Sequence, residues 1–106
     1  VDDARGSQTT GLAGRYAAAL FDLAETDKAL DATDAALKAI AKALDASPDL
    51  RALIAEKRLS RAEIGQALQA VAADLALPAL VGKFLGVLAA NGRASQLPAV
   101  IAAFGR

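Results

Sequence analysis

Apolar residues recur along this chain at three- and four-residue steps, the spacing of a helix face, and short polar breaks separate the runs. The first run carries two apolar faces. Ala13, Ala17, Leu20, Phe21 and Ala24 form one, and Leu12, Tyr16, Ala19 and Leu23 form the other, over a helix predicted to begin near Thr9 or Thr10 and to reach about Glu25. An ordinary surface helix needs only one such stripe. Either this helix is central and buried all round, or its second face lines a groove that receives a partner helix.

The polar cluster Glu25-Thr26-Asp27-Lys28 breaks the pattern and places Thr26 or Asp27 to cap the next helix. That helix carries Leu30, Leu37, Ile40, Ala41 and Leu44 on one side, with Asp31, Asp34, Lys38, Lys42 and Asp45 mostly on the other. Ser47-Pro48-Asp49 starts a short third helix, reaching about Glu56: a capping hydroxyl, proline at the first helical position, and an acid near the positive end of the dipole. Ser60-Arg61-Ala62-Glu63 is a capping box, and Leu59 and Ile64 stand at the positions of a hydrophobic staple. A fourth helix follows from Arg61 to about Leu75. Leu77-Pro78 opens a fifth and Asn91-Gly92 closes it, while Ser95 is placed to cap a sixth whose Leu97, Val100, Ile101 and Phe104 face inward. Six helices with short connections predict an all-α fold, a compact six-helix bundle over residues 11–106. Residues 1–10 are polar and aperiodic and read as a disordered tail. Because the chain stops in or just after a helix, a further C-terminal portion is expected beyond Arg106.

Composition strengthens the helical reading. Alanine and leucine supply 29 and 16 of the 106 residues, against five Val, four Ile and four Thr. The best helix formers dominate and strand formers are scarce. So much alanine also lets helix axes approach closely.

Charge and candidate chemistry narrow the function classes. There is no cysteine, hence no disulfide framework, and no histidine, which removes the usual general base and the commonest metal ligand. The N-terminus is acidic and polar, unlike a signal peptide. The most apolar region, Leu75 to Gly92, is interrupted by Pro78 and Lys83 and falls short of a membrane span. Net charge is zero, but residues 1–49 carry nine acids and five bases, and residues 50–106 three acids and seven bases. Without a basic excess or stacking aromatics, no nucleic-acid partner is indicated. The split points to contact between the halves or with protein neighbours. Arg51, Lys57, Arg58 and Arg61 read as a solvated face, and Asp22, Glu25 and Asp74 sit in different helices with nothing to make them converge. No phosphate-binding glycine loop ending in Lys-Ser or Lys-Thr is present. No cofactor and no metal are called for.

Two motifs at opposite ends of the chain carry a resemblance. Arg15-Tyr16-Ala17-Ala18-Ala19-Leu20-Phe21-Asp22-Leu23-Ala24 is similar to the opening helix of the delta subunits of F-type ATP synthases, known in mitochondria as the oligomycin-sensitivity-conferring protein. Phe84-Leu85 and Leu88, then Asn91-Gly92-Arg93, then Leu97, Ile101 and Phe104, resemble the same family's apolar helix, "NGR" turn and following helix. The likeness covers Leu12 to Phe104, specific at both ends and loose between Asp27 and Leu75. There the family's proline-containing turn before the fourth helix is replaced by Ala55-Glu56-Lys57-Arg58, leaving that connection open. The resemblance implies a non-catalytic component of the peripheral stalk, or stator, of a proton-translocating synthase. Its partners would be the N-terminal helices of the alpha subunits and, through a second domain absent from this chain, the b-type stalk subunits. Its place would be peripheral, at the cytoplasmic face of the bacterial inner membrane, without direct membrane insertion, and nucleotide sites would belong to other subunits.

The residues assigned to partner binding follow from these patterns. On the first helix they are Tyr16, Ala19, Leu20 and Leu23. On the fifth they are Lys83, Phe84, Val87 and Ala90, since Val87 turns about a hundred degrees or more away from the inward Leu85 and Leu88. Small residues at Gly82, Gly86 and Ala90 allow close approach of a helix, whether internal or from a partner. The alternative from another class is a free-standing helical adaptor or a self-associating bundle using the same groove. Sedimentation separates the two.

Overall fold

The computed structural model describes residues 11–105; the tail expected at residues 1–10 lies outside them. Six α-helices follow in order, with no strand among the described residues: α1 (Leu12–Thr26), α2 (Leu30–Ala46), α3 (Pro48–Ala55), α4 (Arg61–Asp74), α5 (Ala79–Ala90) and α6 (Leu97–Phe104). A single 3₁₀ turn, Ala94–Gln96, leads into α6. The radius of gyration, 13.3 Å, is that of a well-packed globule of this size.

The packing follows from which stripe each helix buries. α1 lies along α6, α4 lies along α5, and α2 touches α1, α3, α5 and α6. The central helix is therefore α2, which buries Thr33, Ala36, Leu37, Ile40 and Leu44. α1 buries Gly14, Ala17, Leu20 and Ala24, half-buries Ala13 and Tyr16, and leaves its other residues exposed. Leu20, Leu37, Ile40, Leu68, Val81, Leu85, Leu88, Leu97 and Val100 form the fully enclosed centre. Thr33 joins them with its hydroxyl oxygen lacking any hydrogen-bond partner.

Two start signals behave as the sequence predicts. The Ser47 hydroxyl accepts the Leu50 N–H at 3.1 Å, with Pro48 at the first helical position. The Ser60 hydroxyl accepts the Glu63 N–H at 3.1 Å, and the Glu63 carboxylate accepts the Ser60 N–H at 2.9 Å, closing the capping box. The Ser60 N–H, and after it the Ser60 hydroxyl, hold the Glu63 carboxyl below its ordinary range.

Two other caps differ from expectation. α2 starts at Leu30 after Ala29, without a side-chain cap, because Thr26 is still in α1 and Asp27 is its C-cap. Ser95 does not cap α6: it lies within the 3₁₀ turn, where the Gln96 N–H bonds the Arg93 carbonyl at 2.9 Å, and α6 begins at Leu97.

Three helices end in one geometry. After α1, α4 and α5, a residue with positive φ (Lys28 at 55°, Ala76 at 54°, Gly92 at 70°) reverses the chain. In each case the next amide reaches back to the carbonyl five residues earlier: Ala29 to Ala24 at 2.7 Å, Leu77 to Ala72 at 2.9 Å, and Arg93 to Leu88 at 2.7 Å. This is the Schellman motif, whose left-handed residue is ordinarily glycine. Only Gly92 conforms.

The cationic residues of the middle segment serve as local ties. Arg51 donates to the Leu44 and Asp45 carbonyls at the end of α2, the latter at 2.9 Å. In the connection from α3 to α4, Arg58 pairs with Glu56 at 3.0 Å, which lowers the Glu56 carboxyl below its ordinary range. The other ion pair is Lys38–Asp34, and among the described residues no ion pair joins the acidic and basic halves. Among the described residues, the charge split is therefore not neutralised by ion pairing between the halves.

Candidate functional site

The candidate site is an uncovered apolar row on α1 that meets the outer face of α5 through one tyrosine. Residues 12, 16, 19 and 23 share a face of α1, one or two turns apart. Leu12 and Leu23 are 36% and 52% exposed, Ala19 is exposed, and Tyr16 is half-buried. On α5, Val87 is 50% exposed, flanked along the helix by exposed Lys83 and Ala90. Leu12, Leu23 and Val87 are three of the four large exposed hydrophobic residues described; the fourth is Phe21. Exposed large apolar side chains on a surface that is otherwise charged and alanine-rich make this a candidate interaction face.

Tyr16 joins the two helices. Its ring packs edge-on against Phe84, with centroids 6.2 Å apart and planes at 75°. Its hydroxyl accepts the Asn91 side-chain N–H at 2.9 Å across 75 positions of sequence. A tyrosine with its ring on an apolar neighbour and its oxygen held at the surface suits a partly wet contact face.

Two predicted contact residues stand elsewhere. Leu20 is fully buried and Phe84 is 7% exposed, so both belong to the core. The reason is angular: α1 buries the line Gly14, Ala17, Leu20 and Ala24, and Phe84 lies in the row of α5 with Val81, Leu85 and Leu88. Phe84 still shapes the site by supporting Tyr16. Conversely, Phe21, read as part of the buried face, is 41% exposed. It sits at the edge of the α1–α6 contact, tilted against Phe104 at 5.7 Å. Asn91 was legible as a helix stop, but its bond to Tyr16 has no local signal.

The two glycines of α5 face α4. Gln69 of α4 donates to the Gly82 carbonyl at 2.9 Å, and a Cβ at Gly86 would stand 3.5 Å from the same amide nitrogen. A Cβ at Gly65 would meet Ala89 at 3.6 Å. Gly82 and Gly86 therefore serve the α4–α5 packing, and of that row only Ala90 is at the surface.

Asp22, Glu25 and Asp74 are all exposed, and among the described residues no three acids, histidines or cysteines are grouped to hold a metal ion. No helix of the described residues is long and apolar enough to cross a membrane.

Fold and site together define a small all-α bundle that leaves an apolar row of its first helix exposed. Residues 12–106 match the family described as ATP synthase delta (OSCP) subunit, and the chain belongs to that family. Among its relatives are proteins named ATP synthase subunit delta from Rhizorhabdus wittichii, 48% identical over 100 residues, and from Phenylobacterium zucineum, 43% identical over 98. These alignments take in 94% and 92% of this chain but 54% and 53% of the relatives. A Rhodospirillum rubrum protein of the same name is 43% identical over 95 residues, 90% of this chain and 51% of its own. The chain thus spans about half the length of the curated relatives it matches. No solved structure matches it.

Proposed function

We propose that this chain is the head-gripping part of a stator in a proton-translocating ATP synthase. It binds the amphipathic N-terminal helix of an alpha subunit along the row of Leu12, Tyr16, Ala19 and Leu23, bordered by Lys83, Val87 and Ala90. The observation that carries the reading is the uncovered apolar surface of Leu12, Leu23 and Val87 around a half-buried tyrosine. Family membership supplies the kind of partner. The role is non-catalytic: the domain holds the catalytic head against rotation, while a second domain of the family engages the b-type stalk subunits. The complex would sit at the cytoplasmic face of the bacterial inner membrane, with this part peripheral.

Titration calorimetry with a synthetic alpha-subunit N-terminal peptide tests it. The wild-type chain should bind, and Val87→Asp and Ala19→Asp should abolish binding while circular dichroism stays unchanged. A carboxylate pressed into an apolar contact costs several kcal/mol, about 2 or more, whereas both side chains are exposed in the free domain. No heat with wild type, or unfolding of either variant, would overturn the assignment. Sedimentation of the chain alone separates it from the self-associating alternative, which requires a dimer that the same Val87→Asp change dissolves.

A further inference from the structure

We infer that Arg61 is a positioning residue for this docking face, acting from α4 through the end of α5 onto Tyr16; the inference rests on the docking role proposed above. Arg61 is the first residue of α4, where a cation opposes the positive end of its own helix dipole. The compensation lies on a different helix. Its Nη1 donates to the Ala90 carbonyl at 3.1 Å, 29 positions away. Around it, the last carbonyls of α5 are already engaged: Val87 by the Asn91 amide, Leu88 by Arg93 and Ala89 by Gly92. The Ala90 carbonyl is left for the guanidinium, which also supplies positive charge at the negative end of α5.

The same guanidinium closes over the turn. A Cβ at Gly92 would fall 2.9 Å from its Nε and 3.0 Å from its Cζ and Nη2. Gly92 suits glycine through its left-handed backbone, φ 70°, and the Arg61 side chain lies over it. Asn91 stands between the clamped carbonyl and this glycine, and its side chain holds the Tyr16 hydroxyl. Ala90–Asn91–Gly92 is thus fixed from the α4 side by Arg61, and it presents Tyr16 on the α1 side. The Asn91-Gly92 turn acquires a role beyond ending a helix: Asn91 orients Tyr16, and the Arg61 side chain lies over Gly92.

The test compares neighbouring positions in the whole chain. Arg61→Ala should weaken binding of the alpha-subunit peptide about fivefold and shift the Asn91 side-chain amide resonances. Ser60→Ala removes the adjacent cap and lowers the melting temperature, yet should leave affinity and those resonances unchanged below the transition. Arg61→Lys keeps the charge and can still reach the Ala90 carbonyl, so it should recover part of the loss. Wild-type affinity in Arg61→Ala, or equal loss in Ser60→Ala, would overturn the inference. If the wild-type chain binds no peptide, the docking role fails, and the Asn91 resonances alone decide: unmoved in Arg61→Ala, they overturn the positioning role as well.

Discussion

Thr33 and Ala76 show how single residues depart from what their surroundings favour. The Thr33 side chain is enclosed in the core with an unpaired hydroxyl oxygen. Valine has the same shape without the polar atom, so Thr33→Val should stabilise the domain by about 1 kcal/mol, read as a higher urea midpoint with unchanged slope. Ala76 carries a methyl group at φ 54°, where Cβ crowds the backbone. Ala76→Gly should raise stability by about 1 kcal/mol, seen as a melting temperature several degrees higher. The same change at exposed Ala70, inside α4, should instead lower it, because glycine weakens a helix interior.

At the level of the element, the starts at Ser47 and Ser60 were legible as capping signals, whereas those assigned to Thr26 or Asp27 and to Ser95 differ from the structure. Ser47-Pro48 and the Ser60–Glu63 box declare themselves because a hydroxyl, a proline or an acid at a fixed offset does the capping locally. The ends after α1 and α4 use the same left-handed turn as α5 but with Lys28 and Ala76 in place of glycine, so the usual cue is missing. The capping box also has a pH signature. Because the folded Glu63 carboxyl titrates below its ordinary value, its contribution is fully present above about pH 4.3 and is lost as pH falls through the lowered folded value. Glu63→Gln can still cap without ionising, so its stability should fall less than that of wild type across this acid window. Denaturant melts at stepped pH check it; parallel decline of the two proteins would contradict it.

For the whole molecule, the apolar periods gave six helices, while the partition between core and contact face was only half visible. Helical angle alone could not place Leu20 and Phe21, adjacent in sequence, on opposite sides of the buried boundary; that depends on how α6 lies along α1. Nor could it reveal α2 as the hub, since α2 reads as an ordinary amphipathic helix with Thr33 hidden among its polar positions. The small residues of α5 were ambiguous for the same reason. Gln69, which claims two of them, lies in another helix.

The bond between Tyr16 and Asn91 ties the first described helix to the end of the fifth across 75 positions. A helix near a chain end is the part most easily peeled away one turn at a time. Here α1 packs against α6 and is held at Tyr16 to Asn91 at the end of α5, both much later in the sequence. A rope of helix laid over Tyr16 and Val87 would therefore pull on two widely separated stretches of polypeptide side by side.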